Sequence, residues 1–222
     1  MNLEAGGGLS LRAPSDGAWT VAWRCDDWFG PLDLLVGGQA VAPRAGSQFE
    51  GEDDLGVFRA LELVLDESPL PLRASVRAYL ERSLLVFRLE AAAALDGFAS
   101  GQFDRPAVVW PRLRPTMRRA GGLPEGARGF GHAYTEFALP SFSGPEFDGF
   151  LLLPQRPAVV EPLFVVTPKG PSLMLAPLES FHEQIVAVPR QGETELGVRC
   201  GWHGDLDHAP EGFHSELACF AG

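Results

Sequence analysis

The sequence predicts an all-β protein, a large antiparallel β-sandwich with few or no helices, and three observations predict it. Short apolar runs rich in Val, Leu, Phe and Trp recur about every ten residues, the strand spacing of sandwiches. The 19 prolines and 26 glycines are scattered along the chain rather than gathered in one linker, so breakers separate the runs. Within "RALELVLD", Leu61, Leu63 and Leu65 alternate with Glu62 and Val64, the period of two that a half-buried strand imposes.

Taken in order, "WTVAWRCDDWF" comes first and carries Trp19, Trp23 and Trp28. These rings point to packing, so residues 1–50 either join the sandwich or form an edge extension of it. "GVFRALELVLD" follows as a strand. "RASVRAYLERSLLVFRLEAAAALDGF" has the Ala, Leu, Arg and Glu content of a helix. Yet Val76, Ala78 and Leu80 alternate with Arg77 and Tyr79, and "ERS" suits a hairpin tip. Two strands are expected here, with one helix as the competing reading. "AVVW" and "FLLLP" continue the series, and "IVAVP" closes it. Between them "PLFVVTPKGPSLMLAPL" reads as a hairpin with Lys169-Gly170 at its turn. No internal repeat, low-complexity tract or clean boundary divides the chain, so one domain over 1–222 is expected.

Composition narrows the function classes. A chain of 222 residues with 45% hydrophobic content can bury a sizeable core. Its formal net charge of −11 repels phosphate backbones and argues against nucleic acid. The basic exception, "WPRLRPTMRRAGG" with Arg112, Arg114, Arg118 and Arg119, reads as a solvated loop, one that contacts another domain. No window approaches the roughly 18 apolar residues of a membrane span, and the N-terminus lacks a signal-peptide layout. The default is a cytoplasmic protein without membrane attachment. Cys25, Cys200 and Cys219 form no C-x-x-C pair and read as partly buried thiols of a reducing compartment.

The polar segment "WHGDLDH" is the first candidate site. In an extended strand His203, Asp205 and Asp207 would share one face. With His208 they are weak candidates for a divalent metal, since the spacing matches no zinc pattern. A turn built on Gly204 and the aspartates is the simpler alternative. A sugar contact ranks above metal, with Trp202 as a flat face for a pyranose and an aspartate accepting hydroxyls. "FHEQIV" brings His182 and Glu183, but Val186 stands where H-E-x-x-H needs its second histidine, so a metalloprotease is excluded. In "HAYTEF", Glu136 is a candidate ligand contact. "GGG" at 6–8 lies in the leader rather than after a strand and is no phosphate loop. No cofactor is expected.

The succession "WPRLRP", "HAYTEFALPSFSG", "FDGFLLLPQRPAVVEPLFVVTPKGPSLMLAPLESFHEQIVAVP" and "GWHGDLDHAPEGFHSELACFAG" resembles the N-terminal region of bacterial glycoside hydrolases related to raffinose synthases and α-galactosidases. The resemblance runs from "DDLGVF" to Gly222. It implies a supersandwich-like β-sandwich that packs on a catalytic (β/α)₈ barrel and helps complete its sugar site. The barrel supplies the catalytic aspartates, and no βαβ alternation exists here to build one. No catalytic carboxylate is therefore carried over. The expectation is a non-catalytic domain or truncated piece, with a galactoside-type ligand and a barrel in cis or trans as partners. A stand-alone carbohydrate-binding module and a small metal-dependent enzyme are the alternatives.

Overall fold

The computed structural model describes residues 2–13, 18–24, 26–102, 106–114, 128–134, 159–166, 172–179, 183–187 and 198–222. They form strands β1 (Asn2–Glu4), β2 (Leu9–Arg12), β3 (Trp19–Trp23), β4 (Asp26–Val36), β5 (Gln39–Val41) and β6 (Arg44–Asp53). Next come β7 (Gly56–Val64), β8 (Leu72–Tyr79), β9 (Leu84–Ala91), β10 (Leu95–Asp96), β11 (Val108–Leu113) and β12 (Arg128–Tyr134). The last six are β13 (Val159–Val166), β14 (Leu173–Pro177), β15 (Gln184–Ala187), β16 (Val198–Trp202), β17 (His208–Ala209) and β18 (His214–Ala221). The protein is all-β and β-sandwich-like, with no α-helix among the described residues and every strand pairing antiparallel. Among those residues no helix is long and apolar enough to cross a membrane.

One long sheet runs β1-β2-β3-β4-β11-β16-β15-β13-β14-β18-β9-β8-β7-β6, with β5 on β4 and β12 on β13. It folds over so that its first half faces its last. Trp110 of β11 meets Phe87 of β9 edge-on, ring centroids 5.9 Å apart. Trp202 of β16 reaches across to β18 and donates from Nε1 to Ser215 Oγ at 2.9 Å. One apolar core joins the halves, from Leu3, Leu11 and Trp28 to Leu61, Val76 and Leu89. Buried residues from Leu3 to Val41 belong to this core, whereas β6 is a mostly exposed strand at the end of the sheet.

The segment 72–91 is the expected hairpin, because its period is two and Glu81, Arg82 and Ser83 form the turn. Alternation fails at its end: Tyr79 is buried and Leu80 exposed, since a second apolar cluster covers the other face there. β13 and β14 pair as expected, and their Lys169-Gly170 connection lies outside the described residues. The "GGG" turn follows β1, contrary to expectation, and is a tight connection to β2. A Cβ on Gly6 would come within 2.7 Å of the Arg82 backbone, so the turn needs glycine to dock on the β8–β9 tip.

The reading of "WPRLRP" as a solvated loop is corrected. Val108–Leu113 is an interior strand between β4 and β16, and all six residues are buried. Arg112 is 6% exposed and Asp33 opposite it on β4 is 7% exposed. Arg112 donates from Nε and Nη2 to the two Asp33 oxygens at 2.7 and 2.6 Å, and Arg114 Nη2 adds a third bond at 2.7 Å. A planar fork is what a buried carboxylate requires, and lysine could not replace it. Arg118 and Arg119 lie outside the described residues.

Candidate functional site

The "WHGDLDH" segment is a turn, not an extended strand. β16 ends at Trp202, and the following backbone clamps the 97–101 loop: Gly97 N donates to Asp207 O at 2.9 Å and Gly101 N to Gly204 O at 3.0 Å. His203 Nδ1 accepts from Asp205 N at 3.2 Å, and His208 Nδ1 lies 2.6 Å from Asp96 Oδ1. Asp205, Asp207 and His208 are exposed. Among the described residues they join no three-ligand cluster, so the metal reading of His203, Asp205, Asp207 and His208 is not carried further.

Trp202 is corrected from sugar platform to core. It is 0% exposed and lies between Phe98 and Phe213, with centroids at 5.8 and 5.1 Å. A fully buried ring offers no surface to a pyranose. Glu183 is brought beside His203, whose amide donates to the Glu183 carbonyl at 2.8 Å. Burial lowers the His203 pKa, against the opposite pull of Asp205 and Glu183. His182 and Glu136 lie outside the described residues.

A second surface emerges from strand register, on the face of β6–β7–β8–β9–β18–β14–β13 turned away from the main core. Cross-strand partners point to the same side of a sheet, so the register lines up rows of side chains. One row runs Phe58, Tyr79, Leu84, Phe220, Met174 and Phe164. Its far end is open: Phe220 is 41% and Phe164 38% exposed. The parallel row two residues along is Ala60, Arg77, Val86, Ala218 and Ala176. Beyond it lie Glu62, Ser75, Arg88 and Glu216, then Arg73, Glu90 and His214. The face therefore grades from aromatic to charged over four rows.

The charged half opens into a cavity of about 590 Å³ lined by Phe49, Glu62, Arg73, Ser75, Arg77, Arg88 and Glu90. Its groups are held in a chain of ion pairs. Glu216, 6% exposed, receives Arg77 Nη2 at 2.9 Å and Arg88 Nη1 at 3.0 Å on one oxygen. Glu90 takes Arg88 Nη2 at 2.8 Å and Arg73 Nη1 at 3.3 Å. Asp53 accepts from Tyr79 Oη at 2.7 Å and Arg77 Nη1 at 3.1 Å. The Arg77 guanidinium also sits 5.3 Å above the Phe58 ring.

These contacts set the protonation states. Burial works to raise the Glu90 pKa, but the hydrogen bond and charge of Arg88, with Arg73, outweigh it and hold the carboxyl below its ordinary range. Burial also works against the Arg77 cation and is overcome by Tyr79, Glu216 and Asp53, so its pKa is raised. Burial and then the Asp53 hydrogen bond push Tyr79 up to about 12. The groove is thus lined by guanidinium cations and carboxylates, planar donors and acceptors suited to hydroxyl-rich or carboxylate ligands. Sequence reasoning passed over it. The available signal was Arg73, Arg77, Arg88 and Glu90 at even spacing on strands whose other face is apolar.

No protein-family model matches this chain, and no curated protein matches it.

Proposed function

We propose that this chain is the non-catalytic β-sandwich of a carbohydrate-processing enzyme of the α-galactosidase and raffinose-synthase type. Its outer sheet face is the working surface. The aromatic row from Leu84 through Phe220 and Met174 to Phe164 packs a catalytic (β/α)₈ barrel, supplied in cis or in trans. The groove of Arg73, Arg77, Arg88 and Glu90 contributes polar contacts to a galactoside-type sugar. The observation that carries this reading is the gradient across one face, an open aromatic end beside a preorganised charged groove. Aromatic centres with polar, Arg-rich surroundings are the composition of interfaces that bind. The β-sandwich-like fold agrees with what the sequence resemblance implies.

A stand-alone binding module working through tryptophan platforms has less support, because Trp19, Trp23, Trp28, Trp110 and Trp202 are all buried. The test is calorimetric titration of the purified chain with galactose and α-galactosyl oligosaccharides. A saturable heat, weakened in Arg73→Ala, is expected; the Arg73 side chain is 70% exposed and lines the groove, so its loss spares the fold. Flat titrations with all these sugars, or saturation indifferent to Arg73→Ala, would overturn the reading.

A further inference from the structure

We propose that Glu179, His214 and Glu216 form a binding site for a divalent transition-metal ion, with Zn²⁺ the best match. One imidazole and two carboxylates are a donor set that zinc accepts, with a fourth position left for water or a ligand oxygen. His214 and Glu216 stand two apart on β18 and so share the outer face, and Glu179 follows the end of the neighbouring strand β14. The Leu178 amide donates to the Glu216 carbonyl at 2.8 Å and fixes Glu179 beside them. One ligand atom from each residue lies within 4.8 Å of the other two. Tetrahedral zinc with bonds of about 2.0–2.1 Å keeps its ligand atoms about 3.3 Å apart. The Glu179 side chain, 54% accessible, has room to adjust to that spacing.

The orientation of His214 is the independent observation. Its Nδ1 lies 3.1 Å from the Gly212 carbonyl, outside the cluster. That carbonyl requires a proton on Nδ1 and turns Nε2 toward the carboxylates, the way a metal-binding histidine is held. Nε2 then lies 2.7 Å from Glu179 Oε2. Glu216 is fixed from behind, because Arg77 and Arg88 both hold its Oε1. Those two cations also weaken attraction for a dication, so weaker binding than that of a structural zinc site is expected.

The site adjoins the groove, since His214 pairs with Glu90 across β18 and β9. It does not depend on the sugar reading, because the probe is the metal alone. Chelator-treated protein is titrated with zinc chloride by calorimetry, and Co²⁺ is added separately to read its visible absorption. One Zn²⁺ per chain is expected, with a Co²⁺ band. His214→Ala and Glu179→Gln should weaken binding by at least the roughly 10–100-fold that loss of even an outer partner costs. Both side chains are partly exposed, and equal melting temperatures of the metal-free variants check that they fold. A chain that takes up no zinc would overturn the proposal. So would uptake that both variants leave unchanged.

Discussion

Replacing Asp33 by asparagine should cost the protein about 3 kcal/mol, because the carboxylate is the buried counter-charge of Arg112. Both side chains are almost out of contact with water, 10% and 7% accessible, and three charge-assisted bonds converge on Asp33. Breaking a buried pair from one side costs about 3–5 kcal/mol. The lower end applies here, since asparagine keeps the volume and one acceptor, and Arg114 is 35% exposed and can turn to water. For a chain of this size each kcal/mol lowers the melting temperature by about 2–4 °C, so a drop of about 6–12 °C is expected. Urea unfolding followed by tryptophan fluorescence measures the cost at unchanged slope. The double variant Asp33→Leu with Arg112→Met removes both charges and should be less damaging than the single change. A single variant within about 0.5 kcal/mol of wild type, the range of ordinary surface changes, would refute the burial of this pair and the interior position of β11.

Trp202→Ala should cost about 3–5 kcal/mol as a core truncation, whereas Trp202→Phe should fold and leave any galactoside titration unchanged. The Glu90 carboxyl is held below its ordinary range, so it adds stability above the unfolded carboxylate pKa, and this is lost as pH falls through the folded value. The difference between wild type and Glu90→Gln should therefore be largest near neutrality and shrink below about pH 4. His203 has a lowered pKa from burial, so the unfolded chain takes up its proton first. Stability should begin to fall below about pH 6.5, a slope that His203→Gln removes. Cys200 and Cys219 are buried, and burial pushes the Cys219 thiol up to about 12. Iodoacetamide at neutral pH should leave both unlabelled in the native chain and label both in guanidinium, read by peptide mass spectrometry.

Strands were legible because burial on one face writes itself into alternate residues, as at Leu61 and Leu63. The pairing of Val76 with Phe87 across a hairpin was equally local. What stayed hidden depends on contacts distant in sequence. Arg88 and Glu216 are 128 residues apart, and Arg112 is 79 residues from Asp33. An arginine looks solvated until its counter-charge is placed, and no local pattern does that. The outer face is assembled from seven strands by register alone, so its rows exist only once β18 is known to lie between β14 and β9. Tyr79 shows the same limit: alternation assigns a residue to a face but does not tell whether that face is covered. At "WHGDLDH" strand periodicity was extended past Trp202, where the chain had already turned, and an aromatic beside polar residues looked like a binding platform although its ring points inward.

The most direct test of the outer face as the binding surface is an amide and arginine side-chain chemical-shift map, recorded with and without saturating α-galactoside. The account predicts that the shifts fall on Arg73, Arg77, Arg88 and Glu90 and their neighbours on β7, β8, β9 and β18. Shifts confined to residues 203–208, or none at saturating sugar, would contradict it.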